Sequence, residues 1–414
     1  MRIGMVSATY DPAVVNGAVR MVGLYKKHLE ALGHEVTIFA LGDDREADRA
    51  ERIVRSPGIR LGDHGYFFSM GYSLEAQRLL AEMDVVHCHH LLMSVELAHR
   101  YARCPVVYTN HTRYDLYTGA YIPLPQPAAD AIMRQVWPEF TDLADTVIAP
   151  SESVRQLMLD FGVRSPIVVI ENGIELEPFL RPPRPRTPAD FGLPPSARLL
   201  IYVGRLASEK NLTALLHQFA GAAAMLPDLH LALIGKGPQE EELRQLAETL
   251  GVAACVHFAG VVPFDEVSGW LAAADAFVTA STSEVHPLTV IEAMAAGKPI
   301  AAVNSPGIVD TVEPGVTGFL ARDENGLDAA IIALLADPAR TREMGAAARE
   351  ASRRFDIGRT VALTVELYEE LLATRPDLTR EREHGRWLRR TEKWLALLDQ
   401  LAGFVRPSED NSTP

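Results

Sequence analysis

Two glutamates, Glu284 and Glu292, stand eight residues apart across a predicted junction between a loop and a helix. Pro287 suits the first position of a helix, because the amide that it lacks would be unpaired there, and Gly297 suits the helix end. The free amides and the dipole of such a helix start favour an anion. Each carboxylate can hold two adjacent hydroxyls of a sugar ring while the amides hold phosphate, although the spacing also fits two ordinary exposed glutamates.

Two cations follow another predicted strand. The strand Leu199 to Val203 runs into a loop that carries Arg205 and Lys210. Arginine can fork onto two phosphate oxygens and lysine supplies a mobile charge, so the pair is suited to stabilise the negative charge of a departing diphosphate. A solvated loop with two unremarkable cations is the alternative interpretation.

A histidine and a glycine mark the strand ends of the N-terminal half. His111 lies just past the predicted strand Val106 to Thr109 and is followed by polar and aromatic residues, a better position for ligand contact than most lone histidines have. It would meet the two glutamates only if a cleft closed. Gly17, after Asn16, allows close approach of a ligand to the backbone at a strand-to-helix turn, or simply a tight turn.

No metal site is expected. His87, His89 and His90 are close in sequence, but alternation along a strand sends the first two to one face and the third to the other. The chain also contains no Asp-x-Asp pair, which removes the simplest acidic clamp for a divalent ion. We therefore predict neither a metal nor another cofactor.

Short apolar runs alternate with amphipathic segments throughout the chain, which predicts two doubly wound α/β domains with parallel sheets facing a central cleft. Residues 1–180 are predicted to form the N-terminal domain, 181–196 a proline-rich linker and 197–354 the C-terminal domain. A helical segment at 355–374 and an amphipathic tail at 375–414 follow. The predicted strands are Arg2 to Ser7, Glu35 to Ala40, Val85 to Cys88, Val106 to Thr109, Thr146 to Ala149, Ile167 to Ile170, Leu199 to Val203, Leu229 to Ile234, Val256 to Ala259, Ala276 to Thr279 and Pro299 to Val303.

The composition argues against nucleic acid as a partner. The chain of 414 residues has a formal net charge of −14, whereas phosphate backbones are bound mainly by clustered Lys and Arg. Three cysteines are too few for a disulfide framework and fit a reducing cytoplasm. No apolar run approaches the ~18 residues of a membrane span. We expect a soluble, cytoplasmic protein that can still touch the inner face of the cell membrane.

The motifs together resemble the retaining glycosyltransferases of family 4, which have the GT-B fold. They are the Glu284 to Glu292 stretch with Ala293 to Gly297, the Gly204-Arg205 and Lys210-Asn211 pairs, Asn172 to Ile174 before Phe179, and Gly17. The resemblance implies transfer of a hexose from a nucleotide diphosphate sugar with retained configuration and without an essential metal. It also implies that the 355–374 helix crosses back to the N-terminal domain.

The same resemblance implies residue roles. Arg205 and Lys210 would hold the diphosphate, Glu292 the ribose and Glu284 the transferred sugar, while His111 would contact that sugar near the reacting centre. The predicted catalytic residues are therefore His111, Glu284, Arg205 and Lys210, and the predicted donor-binding residues are Gly17, Arg205, Lys210, Val262 beside the base, Glu284, Leu288, Thr289 and Glu292. His286 and Pro287 replace the aromatic residue and glycine usual in the family, which leaves the choice of donor sugar open.

The acceptor side depends on a shorter match. Residues 111–117 are similar to the His-Thr-x-Tyr-acidic-x-Tyr stretch of bacterial diacylglycerol glucosyltransferases, which favours UDP-glucose as donor and a lipid acceptor, with Asn16, Tyr114 and Tyr117 on the acceptor side. Alternatives are a soluble sugar or phosphatidylinositol-type acceptor, a non-catalytic sugar-nucleotide sensor, a glycosidase or an epimerase. Trp387, Trp394 and nearby basic residues suit an anionic membrane surface, although this tail helix could equally dock on its own protein.

Overall fold

The computed structural model describes residues 1–11, 16–61, 66–69, 71–116 and 125–374. Within these ranges the chain forms two larger sheets and one small hairpin. The strands are β1 (Arg2–Val6), β2 (Glu35–Leu41), β3 (Ile53–Ser56), β4 (Ile59–Leu61), β5 (Tyr66–Phe68), β6 (Val85–Cys88), β7 (Val106–Thr109), β8 (Thr146–Ala149), β9 (Ile167–Val169), β10 (Arg198–Val203), β11 (Leu229–Ile234), β12 (Val256–Gly260), β13 (Ala276–Thr279), β14 (Ile300–Val303) and β15 (Gly318–Ala321).

Both sheets are wound outward from a central strand. Among the described residues, the first sheet has the order β3-β2-β1-β6-β7-β8-β9 and the second the order β12-β11-β10-β13-β14-β15. Each neighbouring pair in both sheets is parallel. The chain reverses direction across the sheet between β1 and β6, and again between β10 and β13. In such sheets ligands bind outside the C-terminal ends of the strands at this reversal point, which is where the predicted motifs lie.

Both faces of the first sheet are buried. Met5 and Val6 are neighbours in β1 but belong to different hydrophobic clusters, and the same is true of Ile38 and Phe39 in β2. Successive strand residues point to opposite faces, so helices must cover the sheet on both sides. This explains why the strands read as continuous apolar runs rather than as alternating ones. The predicted two-domain parallel α/β fold is confirmed.

Most of the described helices lie between strands in sequence, and the last three follow β15. They are α1 (Gly17–Ala31), α2 (Leu74–Leu80), α3 (Glu96–Tyr101), α4 (Gln126–Thr141), α5 (Glu152–Asp160), α6 (Glu177–Leu180), α7 (Leu212–Met225), α8 (Glu240–Thr249), α9 (Val267–Ala273), α10 (Leu288–Ala295), α11 (Ile308–Thr311), α12 (Leu327–Leu335), α13 (Pro338–Ala351) and α14 (Ile357–Thr374). None of these described helices is long and apolar enough to cross a bilayer.

The last described helix, α14, packs against the N-terminal domain and contacts α1. Its start is pinned to the segment after β9, because the Ile174 amide donates to the Phe355 carbonyl at 2.9 Å and the Ile357 amide donates to the Ile174 carbonyl at 3.0 Å. A Cβ at Gly173 would lie 2.6 Å from the Ile357 Cα. Glycine is therefore needed here for the close approach of two backbones.

Four strands of the structure are not in the prediction from sequence. They are β3, at one edge of the first sheet, the hairpin strands β4 and β5, and β15, at one edge of the second. The helix start also differs by one residue: Pro287 has an extended ψ of 115° and precedes the helix, which begins at Leu288. Gly297, with φ of 73°, follows the helix end as predicted.

Candidate active site

The loop before α10 carries a compact charged cluster. The Lys210 Nζ lies 2.7 Å from Glu284 Oε1, and the Ser281 hydroxyl donates to the same oxygen at 2.8 Å. Burial alone would raise the pKa of Glu284, but the Lys210 charge and these hydrogen bonds lower it below its ordinary value. Glu284 is therefore ionised at neutral pH, and the structure brings together the two motifs that the sequence placed 74 residues apart.

Arg205 lies on the same loop as Lys210 and its side chain is about half exposed. Its guanidinium is paired with Glu209, whose carbonyl oxygen accepts a hydrogen bond of 2.8 Å from Ser283. The cation loop and the Glu284 loop are thus tied together at the C-terminal ends of β10 and β13. This arrangement leaves Arg205 as the more accessible cation and Lys210 as the more enclosed one.

Glu292 is held differently from Glu284. It lies on α10 with its side chain 2% exposed and forms an ion pair with Arg20 of α1, in the other domain. Burial raises the pKa of Glu292, and the Arg20 charge offsets that rise only in part. The Arg20 guanidinium also lies over the Phe264 ring, 3.9 Å from its centroid. Arg20 was not predicted as a site residue.

The remaining residues predicted to bind the donor lie at the starts of α10 and α1 and in the loop after β12. Leu288 and Thr289 are the first two residues of α10, which has no side-chain cap, and helix geometry leaves their amides without an intrahelical acceptor. Val262 follows β12 and packs against the hydrophobic core beside Phe264. A Cβ at Gly17 would meet no atom of the described residues within 4 Å, so their packing gives no reason for glycine there.

His111 lies at the C-terminal end of β7 within a row of aromatic rings. Its Nε2 is 2.9 Å from His89 Nδ1, and the two rings are nearly parallel, at 11°. His89 contacts His87 in turn, with ring centroids 4.3 Å apart and ring planes tilted by 33°. Burial lowers the pKa of His111 and of His87 to about 3, so both rings are neutral at physiological pH.

The row continues into the crossing helix. His87 Nδ1 lies 2.6 Å from the Tyr368 hydroxyl of α14, and its Nε2 lies 2.6 Å from the Thr109 hydroxyl. His90 points away, toward Ser7 and Thr9, as strand alternation predicts. No group of three or more His, Cys, Asp or Glu side chains within the described ranges has the arrangement of metal ligands.

The predicted acceptor-side residues have structural contacts. Asn16 caps α1, with its side-chain oxygen accepting hydrogen bonds from the amides of Ala18 at 2.8 Å and Val19 at 3.3 Å. The Tyr114 hydroxyl accepts a hydrogen bond of 3.1 Å from the Leu91 amide. Tyr117 and the tail tryptophans lie outside the described residues, so the structure says nothing about them.

Three residues of the N-terminal domain, none of them among the predicted site residues, hold the Glu284 loop across the cleft. The Ser151 hydroxyl donates to the Val285 carbonyl at 3.0 Å, and the Asn172 side-chain amide donates to the His286 carbonyl at 3.1 Å. Arg113, which also forms a buried pair with Asp115, reaches the Thr282 carbonyl at 3.5 Å. These contacts bring the His111 segment to the loop that carries Glu284.

His286 is a packing residue in this loop. It is buried against Phe355, with ring centroids 5.1 Å apart, and neither ring nitrogen has a partner among the described residues. Burial lowers its pKa to about 3. It therefore fills the aromatic position usual in the family with a neutral ring.

Two facing parallel-sheet domains, with the charged cluster at the edge of the second, define the GT-B class of glycosyltransferases. The family models agree: residues 15–178 match the model described as Glycosyltransferase Family 4, and residues 183–351 match Glycosyl transferases group 1. The chain belongs to the family 4 glycosyltransferases, as the motifs predicted.

Similar proteins differ in the acceptor that their names state. The chain is 30% identical over 358 residues to the alpha-monoglucosyldiacylglycerol synthase of Streptococcus pneumoniae, covering 82% of this chain and 79% of that protein. It is 31% identical to the D-inositol 3-phosphate glycosyltransferase of Streptomyces bingchenggensis, covering 70% and 67% respectively. The fold of Anabaena HepE, solved with UDP-glucose, matches with a TM-score of 0.69 at 22% identity, over 89% of this chain and 100% of that one.

Proposed function

We propose that the enzyme transfers a hexose, with UDP-glucose as the favoured donor, to a lipid acceptor such as diacylglycerol, with retention of the anomeric configuration. The observation that carries this proposal is the Lys210–Glu284 pair at the C-terminal edge of the second sheet, joined to the His111 segment through Arg113. The 30% identity with a monoglucosyldiacylglycerol synthase and the residue 111–117 stretch support the lipid acceptor.

The donor roles follow from charge and reach. Arg205 and Lys210 would stabilise the charge that grows on the diphosphate as its bond to the sugar breaks, because fixed cations in a partly buried loop need little reorganisation. The amides of Leu288 and Thr289 would add hydrogen bonds to phosphate. Glu284 would hold hydroxyls of the transferred sugar and Glu292 those of the ribose, since an ionised carboxylate accepts several hydrogen bonds.

On the other side of the cleft, His111 would contact the transferred sugar through its remaining ring nitrogen. Its low pKa keeps it neutral, so it can donate or accept a hydrogen bond but carries no charge. The phosphates would approach the backbone at Gly17, where a side chain would meet no atom of the described residues within 4 Å. Val262 would lie beside the base. Asn16 and Tyr114, already engaged in capping and loop contacts, would border the acceptor.

The decisive experiment is a matrix of donors and acceptors with the full chain. UDP-glucose, UDP-galactose and GDP-mannose are each incubated with diacylglycerol vesicles, inositol phosphate and soluble sugars, and both nucleotide release and product mass are measured. We expect glucosylated diacylglycerol from UDP-glucose. A proton NMR spectrum of the product reads its anomeric configuration, and a parallel reaction in excess EDTA tests the proposal that no metal is required.

Each alternative predicts a different result. An inositol-type acceptor, which the 31% identity to an inositol phosphate glycosyltransferase favours, would give a soluble glycosylated phosphate instead of a glycolipid. A sugar-nucleotide sensor would bind UDP-glucose without turnover on any acceptor. A glycosidase would hydrolyse simple glycosides without a nucleotide, and an epimerase would rearrange the donor alone.

We further propose that the enzyme acts at the inner face of the cell membrane through the basic, tryptophan-containing tail at 375–414. Basic residues near an anionic surface strengthen binding by about 1 kcal/mol each. A chain truncated after Pro376 should lose cosedimentation with anionic liposomes and keep the binding of UDP. Equal sedimentation of the two chains would contradict membrane binding by the tail.

A further inference from the structure

We propose that Arg20 is a donor-binding residue supplied by the N-terminal domain, which makes Glu292 competent for the nucleotide and couples nucleotide binding to closure of the cleft. This inference rests on the proposed function, because it assigns a further residue to the same donor site. Arg20 lies outside the sequence motifs by which the family was recognised.

The position of Arg20 links three parts of the donor site. Arg20 lies on the first turn of α1, which begins at Gly17. Its guanidinium pairs with the Glu292 carboxylate and lies over the Phe264 ring, and both of these groups belong to the C-terminal domain. Phe264 directly follows the loop of residues 260–263, which contains Val262 and is predicted to border the base. The guanidinium therefore lies between the predicted ribose-holding carboxylate and the predicted base-binding loop.

The ion pair leaves hydrogen-bonding positions unused on both partners. Nη1 of Arg20 donates to Glu292 Oε1, whereas a guanidinium has five N–H donors and a carboxylate two oxygens with about four acceptor positions. Arg20 and ribose hydroxyls can thus share Glu292 rather than compete for it. The other guanidinium N–H groups remain for the phosphates or the base.

Because Glu292 is buried, its pairing with Arg20 affects the charge state of the carboxyl. A carboxyl with a side chain 2% exposed tends toward its neutral form, and the neutral form is the weaker hydrogen-bond acceptor. The Arg20 charge opposes that tendency, but only while the two domains are together, since the partners lie on different domains. A nucleotide that contacts both Arg20 and Glu292 needs the two domains together. It will therefore bind the closed arrangement better, and by linkage it will favour closure.

The test measures UDP binding and cleft closure in the full chain. Calorimetric titration with UDP gives affinity, and small-angle X-ray scattering with and without UDP gives the change in radius of gyration. For Arg20→Ala we expect roughly tenfold weaker UDP binding, loss of the UDP-induced compaction, and a higher donor KM with an unchanged acceptor KM. Arg20→Lys keeps the charge without the planar fork and should recover part of the affinity.

Lys27→Ala is the matched control, because Lys27 lies on the same helix and pairs with Glu175 at the surface. It should bind UDP as the wild type does. Wild-type affinity in both Arg20 variants would overturn the assignment while leaving the proposed function standing. Tighter binding by Arg20→Ala would also overturn it, because Arg20 would then be blocking the site. If the wild-type chain binds no UDP, both proposals fall.

Discussion

At the edge of the first sheet, the row that contains His111 consists of neutral imidazoles and hydroxyls, whereas at the edge of the second the candidate site consists of cations and carboxylates held in pairs. His111, His89 and His87 form a row of rings in contact. Burial lowers the pKa of each imidazole, so the three rings are neutral. Lys210 and Glu284 instead form an ion pair of 2.7 Å, in which each stabilises the charged form of the other. Both edges follow parallel strands in sheets of the same winding order.

The difference teaches that one fold can prepare its two halves for different parts of a reaction. Paired charges at the second edge can be redistributed onto a charged ligand, since a diphosphate can replace one carboxylate as partner of a cation. A neutral, hydrogen-bonded row cannot redistribute charge, but it can hold a ring in a fixed orientation. We therefore expect substitutions at the second edge to affect leaving-group stabilisation and those at the first to affect orientation.

The largest expected effect comes from removing the enclosed cation of the second edge. Lys210→Ala should lower kcat by roughly 100-fold or more, because fixed charge at a leaving group acts mainly in the transition state. The measurement is steady-state kinetics with UDP-glucose, with circular dichroism to establish folding. Lys27→Ala, which removes a surface lysine from an ion pair, is the control. Near-normal turnover in a folded Lys210→Ala enzyme would refute the leaving-group role.

Glu292→Ala should have the next largest effect, principally on donor binding. We expect the donor KM to rise by roughly tenfold, since hydrogen bonds to a charged group contribute about 1.5–3 kcal/mol each, together with a large loss of turnover at low donor concentration. Kinetics at saturating donor separate this from the effect of Lys210→Ala. An unchanged donor KM would remove Glu292 from the ribose site.

A smaller effect is expected from His89, which contacts His111 through a hydrogen bond of 2.9 Å. His89→Leu should lower kcat by roughly tenfold with little change in donor KM, because a displaced ring costs orientation rather than binding. His89→Asn can keep a polar nitrogen near the ring Nδ1 position and should retain most activity. His99→Leu, which loses a 2.9 Å contact to the Leu143 carbonyl elsewhere in this domain, distinguishes positioning from general destabilisation.

The smallest effect concerns the pH dependence of folding stability. It depends on Glu96, whose pKa is lowered by no cation, in contrast to Glu284 and Glu292, which pair with Lys210 and Arg20. Burial raises the pKa of Glu96, in the N-terminal domain, to about 7, opposed only in part by a hydrogen bond from the Met93 backbone. The folded state thus holds a proton that the unfolded state releases near the ordinary pKa, so the contribution to stability is full below pH ~4.5 and is lost as pH rises through 7.

Glu96→Gln should remove that pH dependence. Urea unfolding at intervals from pH 5 to pH 8 should show a smaller fall in the midpoint for the variant than for the wild type. Equal falls in the two proteins would mean that Glu96 does not titrate in this range.

The sequence predicted the strands that are central to each sheet better than those at the edges. Val85–Cys88, Val106–Thr109 and Leu229–Ile234 were predicted at their observed bounds, because strands buried on both faces are apolar along their whole length. The edge strand Ile53–Ser56 has Arg55 in its middle, held internally by the buried Asp48. A charged residue within a strand of four residues interrupts the apolar run from which the strand would be predicted.

The candidate site shows the same division. Lys210 and Glu284 were predicted as site residues, and only the fold brings them within 2.7 Å. Arg20 could have been suspected because it lies one helical turn after Gly17 at the same end of α1. Ser151 carried no signal. Asn172 belonged to a family motif and His89 to a rejected metal site, but the contacts that they make were not predicted, since these depend on a backbone carbonyl and a ring contributed by distant segments.

By itself the sequence determined the two-domain α/β architecture, the glycosyltransferase family and the residues at the strand ends, because periodicity and short motifs are local properties of the chain. Only the tertiary structure decided which charges pair. Arg20 pairs with Glu292 across the cleft, and Lys210 pairs with Glu284. Three histidines are buried as a neutral row that ends at the Tyr368 hydroxyl. These outcomes depend on burial and on distances between remote segments, which no local pattern encodes.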